Sequence, residues 1–361
     1  SGVWIMAYTT IDKPSDYFNT KLYTGTGSSH AITGVGFAPN WVWIKHRNEA
    51  NPHKIFDTVR GVGKSIKSNS NDAEASNEEN GYVSAFGSDG FTLVGGSTSS
   101  NDVNKSSGSY VAWNWKAETS FSNSAGANGA DIASSGSVNT TAGFSIVKWV
   151  GNATDDQQIL HGLSSTVKMI ICKRYIGGSA DSWIVYHVGL PVTQYLILNS
   201  TSAGLSDNEV IWSDEHPTSS VFTVGNHGTT NDDGSTMIGY CFADVQGFSK
   251  MGSYTGNGNA DGTFVYTGFK PAFVMCKRSG GTGNWGMNDT KRDPFNGTSH
   301  TCDANNAGDA DDVAIRMDIL SNGFKLRTNS SNWNTSGDTY IYMAFAESPF
   351  VTSTGVPATA R

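Results

Sequence analysis

Charge is scarce in this chain of 361 residues: Asp, Glu, Lys and Arg together make up 16 %, against a usual figure of about 25 %. The net charge is −8, and no basic cluster is longer than Lys45-His46-Arg47, so the electrostatic footprint of a nucleic-acid binder is missing. No apolar run approaches the ~20 residues of a membrane-spanning helix. Four cysteines do not form a disulfide framework in a chain this long. Cys172 and Cys276 occupy a strand position where a parallel stretch has Ile44, so they read as free thiols packed like small hydrophobes. Helical periodicity is almost absent; its best candidate, Ala310 to Met317, fits a strand equally well. Gly-x-Ser-x-Gly and HExxH are absent, and Gly61-Val62-Gly63-Lys64-Ser65 lacks the first glycine of a phosphate loop and reads as a turn into a strand.

What the chain does have is glycine, 42 residues, or about 12 % against ~7 % on average. It also has 10 Trp, 13 Tyr and 17 Phe. Many aromatics argue for packed cores and against disorder. Abundant Gly, Ser, Thr and Asn argue for short strands joined by polar turns.

One stretch occurs three times. Phe37-Ala38-Pro39-Asn40-Trp41-Val42-Trp43-Ile44-Lys45-His46-Arg47 returns as Ser164-Ser165-Thr166-Val167-Lys168-Met169-Ile170-Ile171-Cys172-Lys173-Arg174, and again as Phe269-Lys270-Pro271-Ala272-Phe273-Val274-Met275-Cys276-Lys277-Arg278. Each copy is an apolar run of the kind that forms a buried strand. Lys45, Lys173 and Lys277 persist while the apolar residues interchange, as at the solvated or ion-paired end of a core strand. Glycine openings at Gly25, Gly151 and Gly256 keep step with the lysines. Repetition at roughly a hundred residues is duplication of whole units, not a solenoid of about 20–50-residue repeats.

Within each copy an aromatic strand follows, starting at His53, Ser182 and Asn284. Asp89-Gly90 and Asn322-Gly323 are tight-turn dipeptides; the second copy lacks one. Each copy closes on an alternating strand. Val111, Trp113 and Trp115 form its bulky row in the first copy, and Ile341, Met343 and Phe345 in the third. Ala112 and Asn114, Gly239 and Cys241, and Tyr342 and Ala344 take the opposite face. A bulky row and a small row fit a sandwich strand with one face in the core and the other closely covered. The expectation is an all-β chain of three tandem antiparallel β-sandwich domains from internal duplication. A lead-in covers 1–22, the repeats 23–119, 142–247 and 248–350, a Ser/Ala/Gly/Asn-rich linker 120–141, and a tail 351–361. Ser1 to Ile5 read as an extension ahead of a natural start at Met6.

These motifs resemble a repeat family found in tail-fibre-like and other structural proteins of marine bacteriophages, including cyanophages. The resemblance is carried by Met6-Ala7-Tyr8-Thr9-Thr10-Ile11, by the Gly-Phe-x-Pro-x-x-Val-x-x-Lys-x-Arg pattern of Gly36 to Arg47, and by the Ser-x-Gly-Phe-x-Leu turns at Ser88 and Ser321. The closing Tyr340-Ile341-Tyr342-Met343-Ala344-Phe345-Ala346-Glu347-Ser348-Pro349-Phe350 also carries it. It covers Met6 to Phe350 and implies a virion context and a jelly-roll or laminin-G/concanavalin-like sandwich. It brings no catalytic residues.

Candidate chemistry is thin. Glu74, Glu78, Glu79 and Asp89, with Asp214 and Glu215, are the acids a glycosidase would draw on, but they cluster in polar loops. The acidic loop from Asp303 to Asp312 offers oxygen ligands of the kind Ca²⁺ takes, with Asp309, Asp311 and Asp312 as candidates, though it follows no EF-hand pattern. Asn231-Asp232-Asp233-Gly234 is a second such loop. Trp333, with Trp285 and Trp212, sits among polar residues and is the candidate aromatic platform for a glycan. The expected function is a non-enzymatic structural protein of a phage particle, a tail fibre or surface appendage used in host attachment. It would have no cofactor, no nucleic-acid partner and no membrane insertion. It would be made in the host cytoplasm without a signal peptide and assemble as a homotrimer or other symmetric homo-oligomer with other virion proteins. A decoration protein without a receptor role and a polysaccharide-binding or polysaccharide-degrading appendage are the alternatives.

Overall fold

A computed structural model describes residues 7–97, 101–177, 181–206, 208–308 and 312–359. The chain is all-β, 45 % strand and 4 % helical, with antiparallel sheets. Of the stretch Ala310 to Met317, the described part, Asp312 to Met317, falls in a strand, Asp312–Leu320. Among the described residues no helix is long and apolar enough to cross a membrane.

Three large sheets share one strand order. In the first, Phe18–Thr24, Ser109–Trp115, Trp41–His46 and Lys54–Asp57 lie side by side. In the second the same places are taken by Phe144–Val150, Thr236–Ala243, Val167–Ile176 and Ile184–His187. In the third they are taken by Ser249–Thr255, Thr339–Pro349, Phe269–Arg278 and Trp285–Asp289. The register repeats as well: Trp113 faces Trp43, Tyr240 faces Ile171 and Met343 faces Met275. The third sheet continues through Thr298–Asp303, Asp312–Leu320, Gly323–Leu326 and Phe264–Tyr266 and curls into a nearly closed, barrel-like form.

Alternation along the strands gives each sheet two buried faces. The outer faces are covered by smaller layers. Ile32, Phe91 and Leu93 pack with Val42, Ile44 and Ala112 in the first sheet. Ile159 and Phe222 pack with Ile170 and Cys241 in the second, and Val265 and Phe324 with Val274 and Ala344 in the third. The bulky rows face the other way and meet in one central core: Trp41, Trp43 and Trp113 from the first sheet, Ile171, Tyr240 and Phe242 from the second, Phe273, Met343 and Phe345 from the third. Trp41 lies 4.5 Å from the Tyr240 ring, Phe18 5.0 Å from Phe345 and Phe242 6.0 Å from Phe345, centroid to centroid. Tandem domains with separate cores would keep these rows apart, whereas here each sheet lends its largest apolar face to the other two.

The stretch expected as a linker, 120–141, carries strands. Thr119–Asn123 and Ser134–Asn139 extend the second sheet at its edge beside Phe144–Val150. Thr119–Asn123 is the edge strand, held by backbone bonds on one side, so small polar residues suffice there, while Ser134–Asn139 inside it adds Val138 to the outer layer. The Gly61 to Ser65 stretch is a turn, with Gly61 and Gly63 at positive φ, leading into a short Lys64–Ser65 strand. All four cysteines are free and buried.

Candidate functional site

The lysine near the end of each repeated strand belongs to the inward-facing row, which brings it against a neighbouring sheet. The expectation of a solvated end is overturned: Lys45, Lys173 and Lys277 are buried and donate to backbone carbonyls. Lys45 Nζ reaches Ala307 O at 3.2 Å, Lys173 Nζ reaches Asn71 O at 2.9 Å, and Lys277 Nζ reaches Thr201 O at 3.1 Å. The first sheet thus holds a loop of the third, the second a loop of the first, and the third a loop of the second. Each lysine also binds its own loop, at Asn51 O, Asp181 O and Gly283 O. Burial pushes Lys173 and Lys277 down to about 8.

A second ring of bonds runs the same way. Trp183 Nε1 donates to Lys67 O at 2.8 Å and Trp285 Nε1 to Ile197 O at 3.0 Å. His53 Nε2, in the matching place, lies 3.1 Å from Asp303 O. A third ring involves the residue that ends the aromatic strand. Asp57 accepts from the Tyr240 hydroxyl at 2.8 Å, and Asp289 from Trp113 Nε1 at 3.1 Å. In the second copy the facing residue is Met343, which has no donor, and the acid is replaced by His187, 3.1 Å from Tyr342 O. Asp57 and Asp289 are each paired with an arginine three residues on, Arg60 and Arg292, at 2.5 Å.

The three candidate glycan tryptophans do not converge, and none offers a ring face to solvent. Trp333 is 2 % exposed, Trp285 1 % and Trp212 2 %. Trp333 sits in a single helical turn, Ser331–Asn334, with its indole over Gly286, where any Cβ would collide with the ring. The other copies have Lys54 and Ile184 at that place. Trp285 belongs to the central core. Trp212 packs edge-on to Phe222 at 6.1 Å and Tyr186 at 6.5 Å. A polar loop around a tryptophan does not expose it when the backbone turns the ring inward.

Four of the six candidate acids are likewise engaged, while Asp214 Oδ1 is buried without a hydrogen-bond partner. Glu74 pairs with Arg60 and Lys64, and Glu78 with Lys54 and Ser65. Asp89 accepts from the amides of Gly34 and Gly36, at 2.9 and 2.7 Å, which holds it below the usual carboxylate range. Glu215 accepts from Thr223 Oγ1 at 2.8 Å. Asp309 and Asp311 lie outside the described residues, as does the side chain of Asp312. In the second acidic loop, Asn231 caps the Asn152 amide and Asp232 pairs with Arg174 at 2.8 Å. Among the described residues no group of three or more His, Cys, Asp or Glu is placed to hold a metal ion.

A family described as "Domain of unknown function (DUF7483)" matches residues 13–349. The chain belongs to that family. The DUF7483 match spans all three large sheets as one domain, in keeping with their common core. No curated protein and no solved structure matches the chain.

Exposed aromatics do occur in this DUF7483 domain, at a place the sequence reading passed over. Phe264 and Tyr266, 45 % and 54 % exposed, project outward from Phe264–Tyr266 while Val265 between them is buried. Tyr266 borders a groove of about 340 Å³ with Tyr8, Asp244, Gln246 and Lys250. Buried asparagines also escaped the sequence reading. Asn104, Asn231 and Asn334 each accept from the amide just after the opening glycine, at 2.8, 2.9 and 2.8 Å. Their signal was an Asn shortly before each closing Gly turn.

Proposed function

We propose that the chain is a non-enzymatic structural protein of a bacteriophage particle, a tail fibre or other surface appendage used in host attachment. The observation that carries this reading is the fate of the recurring polar residues. Lys45, Lys173 and Lys277, Asn104, Asn231 and Asn334, and Asp57 with Asp289 are all committed to backbone or to core side chains. A buried ammonium satisfied by carbonyls is a structural device. What repeats is therefore scaffold, which leaves the exposed positions that differ between copies to carry function. The likeness of the quoted motifs to phage virion proteins supports the virion setting.

The shared strand order, the matching register and the three rings of equivalent bonds support an origin of the three sheets by internal duplication of one sandwich. The wiring of each copy is read as jelly-roll or concanavalin-like on the strength of the same resemblance. Symmetric self-association belongs to this reading as well. Electron cryo-microscopy of intact particles of the encoding phage tests it: density for the three-sheet body on the tail or surface supports it. Absence of the chain from purified particles would overturn it.

A further inference from the structure

We infer that the groove between Tyr8 and Tyr266 is a binding site for a neutral hexopyranose unit of a saccharide. This rests on the attachment reading and names the class of ligand. The first ground is the comparison between copies. Tyr266 pairs with Gly323 as Thr33 pairs with Gly90, and Val265 with Phe324 as Ile159 pairs with Phe222. The outward residues at these matched places are Ala31 and Thr33 in the first copy, Gln158 and Leu160 in the second, and Phe264 and Tyr266 in the third. The inward residue, by contrast, is Ile32, Ile159 or Val265, always buried and apolar. Folding dictates the inward position and leaves the outward pair free, yet one copy places two large rings in water there.

The second ground is what surrounds the rings. Tyr8 is fixed at the groove: its hydroxyl donates to Gly268 O at 2.6 Å, and its ring lies edge-on to Phe350 at 6.2 Å. Gly268 has φ +82°, and a Cβ there would stand 2.8 Å from the Tyr8 hydroxyl, so the glycine makes room for the tyrosine. Burial and the neighbouring Tyr266 hydroxyl hold the Tyr8 phenol above its ordinary value, keeping it neutral. Across the groove Lys250 pairs with Asp244 at 3.2 Å, both partly exposed. The volume, about 340 Å³, lies at the lower end of the ~300–1,000 Å³ of small-molecule sites.

A pyranose has an apolar C–H face and a rim of hydroxyls. An aromatic ring takes the face, and a carboxylate beside an ammonium accepts from and donates to the rim. Because Asp244 and Lys250 neutralise each other, the groove selects neither sign of charge, which favours a neutral sugar over a uronic or sialic acid.

The test uses the whole chain and soluble oligomers of glucose, mannose, galactose and N-acetylglucosamine, with saturation-transfer NMR and titration calorimetry. At least one series is expected to bind, with little dependence on added salt. Tyr266→Ala should weaken it about tenfold or more, while Tyr266→Phe, which keeps the ring, stays within about threefold. Thr33→Ala, at the matched place in the first copy, should change nothing. Circular dichroism of each variant confirms the fold. Failure of the whole chain to bind any series, or binding undiminished by Tyr266→Ala, overturns the inference. Sugar binding by a chain absent from particles would sink the appendage reading and leave this one standing. A particle protein that adsorbs to host cells but binds no sugar would do the reverse.

Discussion

Replacing Trp41 by alanine probes whether three sheets share one core. Trp41 is fully buried and touches both its own sheet and the second: Trp115 at 4.3 Å, Tyr240 at 4.5 Å, Phe144 at 5.7 Å and Phe242 at 5.8 Å. Burial of about 200 Å² of indole at ~25 cal/mol/Å² contributes about 5 kcal/mol, and measured Trp→Ala losses in cores run about 3–5 kcal/mol. We therefore expect Trp41→Ala to cost about 4 kcal/mol. With an m-value of about 4 kcal/mol/M for a chain of this size, the urea midpoint falls by about 1 M. The informative feature is the shape of the curve. Trp113, Trp183 and Trp285 sit in the central core from three different sheets, so tryptophan fluorescence samples every sheet and far-UV circular dichroism samples the strands. One core predicts a single transition in which both signals move together, in wild type and variant alike. A biphasic curve, with an early step for the first sheet and a second at the wild-type midpoint, would refute the shared core and restore three separable domains.

Arg60→Leu leaves Asp57 buried without its guanidinium and should cost about 3–5 kcal/mol by denaturant titration; adding Asp57→Asn should recover part of that loss. Gly286→Ala places a methyl against the Trp333 indole and should cost about 1–3 kcal/mol by overpacking, whereas Gly337→Ala, with open space around it but φ +80°, tests backbone strain alone. Stability should rise with pH between about 8 and 9: Lys173 and Lys277 have their folded values lowered from 10.5 to about 8, so at these sites the unfolded chain binds more protons, a difference of up to about 3 kcal/mol per lysine over the full interval. From about 9 the four buried cysteines, whose thiols burial pushes up, resist ionisation that the unfolded chain undergoes and turn the slope over. Above about 10 it should fall further, because buried Tyr23 and Tyr240 resist ionisation that the unfolded chain undergoes. Below 6.5 it should also fall, as His161 and His187, held at about 4, stay neutral while the unfolded chain takes up protons. Urea midpoints across the pH range check all three slopes.

The strands were legible because their signal is local. The runs at Trp41, Val167 and Phe269 and the alternation at Val111 to Trp115 each declare a strand and its faces within ten residues. The destinations of side chains were not, because they lie across the molecule: Lys45 and the carbonyl it holds at Ala307 are 262 positions apart. Trp333 looked exposed because its immediate neighbours are Ser and Asn, while Gly286, which admits the ring, is far off in sequence. The strands at Thr119–Asn123 and Ser134–Asn139 were hidden for the opposite reason: the outermost strands at the sheet margin are built mainly of small polar residues, with no apolar row to announce them. Arg60 and Arg292 were within reach, since Asp-x-x-Arg follows the aromatic strand in two of three copies. The exposed pair Phe264 and Tyr266 was visible as well, but only once the pairing showed which residues of the other copies stand in the same place.

Three like sheets in one chain differ in a consequential way from three identical subunits. A symmetric homotrimer must repeat each surface residue three times, and any substitution at a shared interface changes all three contacts together. Within a single chain each contact is free to vary alone, provided its partner varies with it. The third ring shows the result. Asp57 meets Tyr240, Asp289 meets Trp113, and where the facing residue is Met343, with no proton to give, the acid gives way to His187. An aspartate kept there would face the apolar core without a donor, at a cost of several kcal/mol. The same freedom on the outside permits Thr33, Leu160 and Tyr266 at one matched position. The three sheets keep a common scaffold while only the third carries a ring at that matched position, so a body built from three like sheets presents one face that the other two lack.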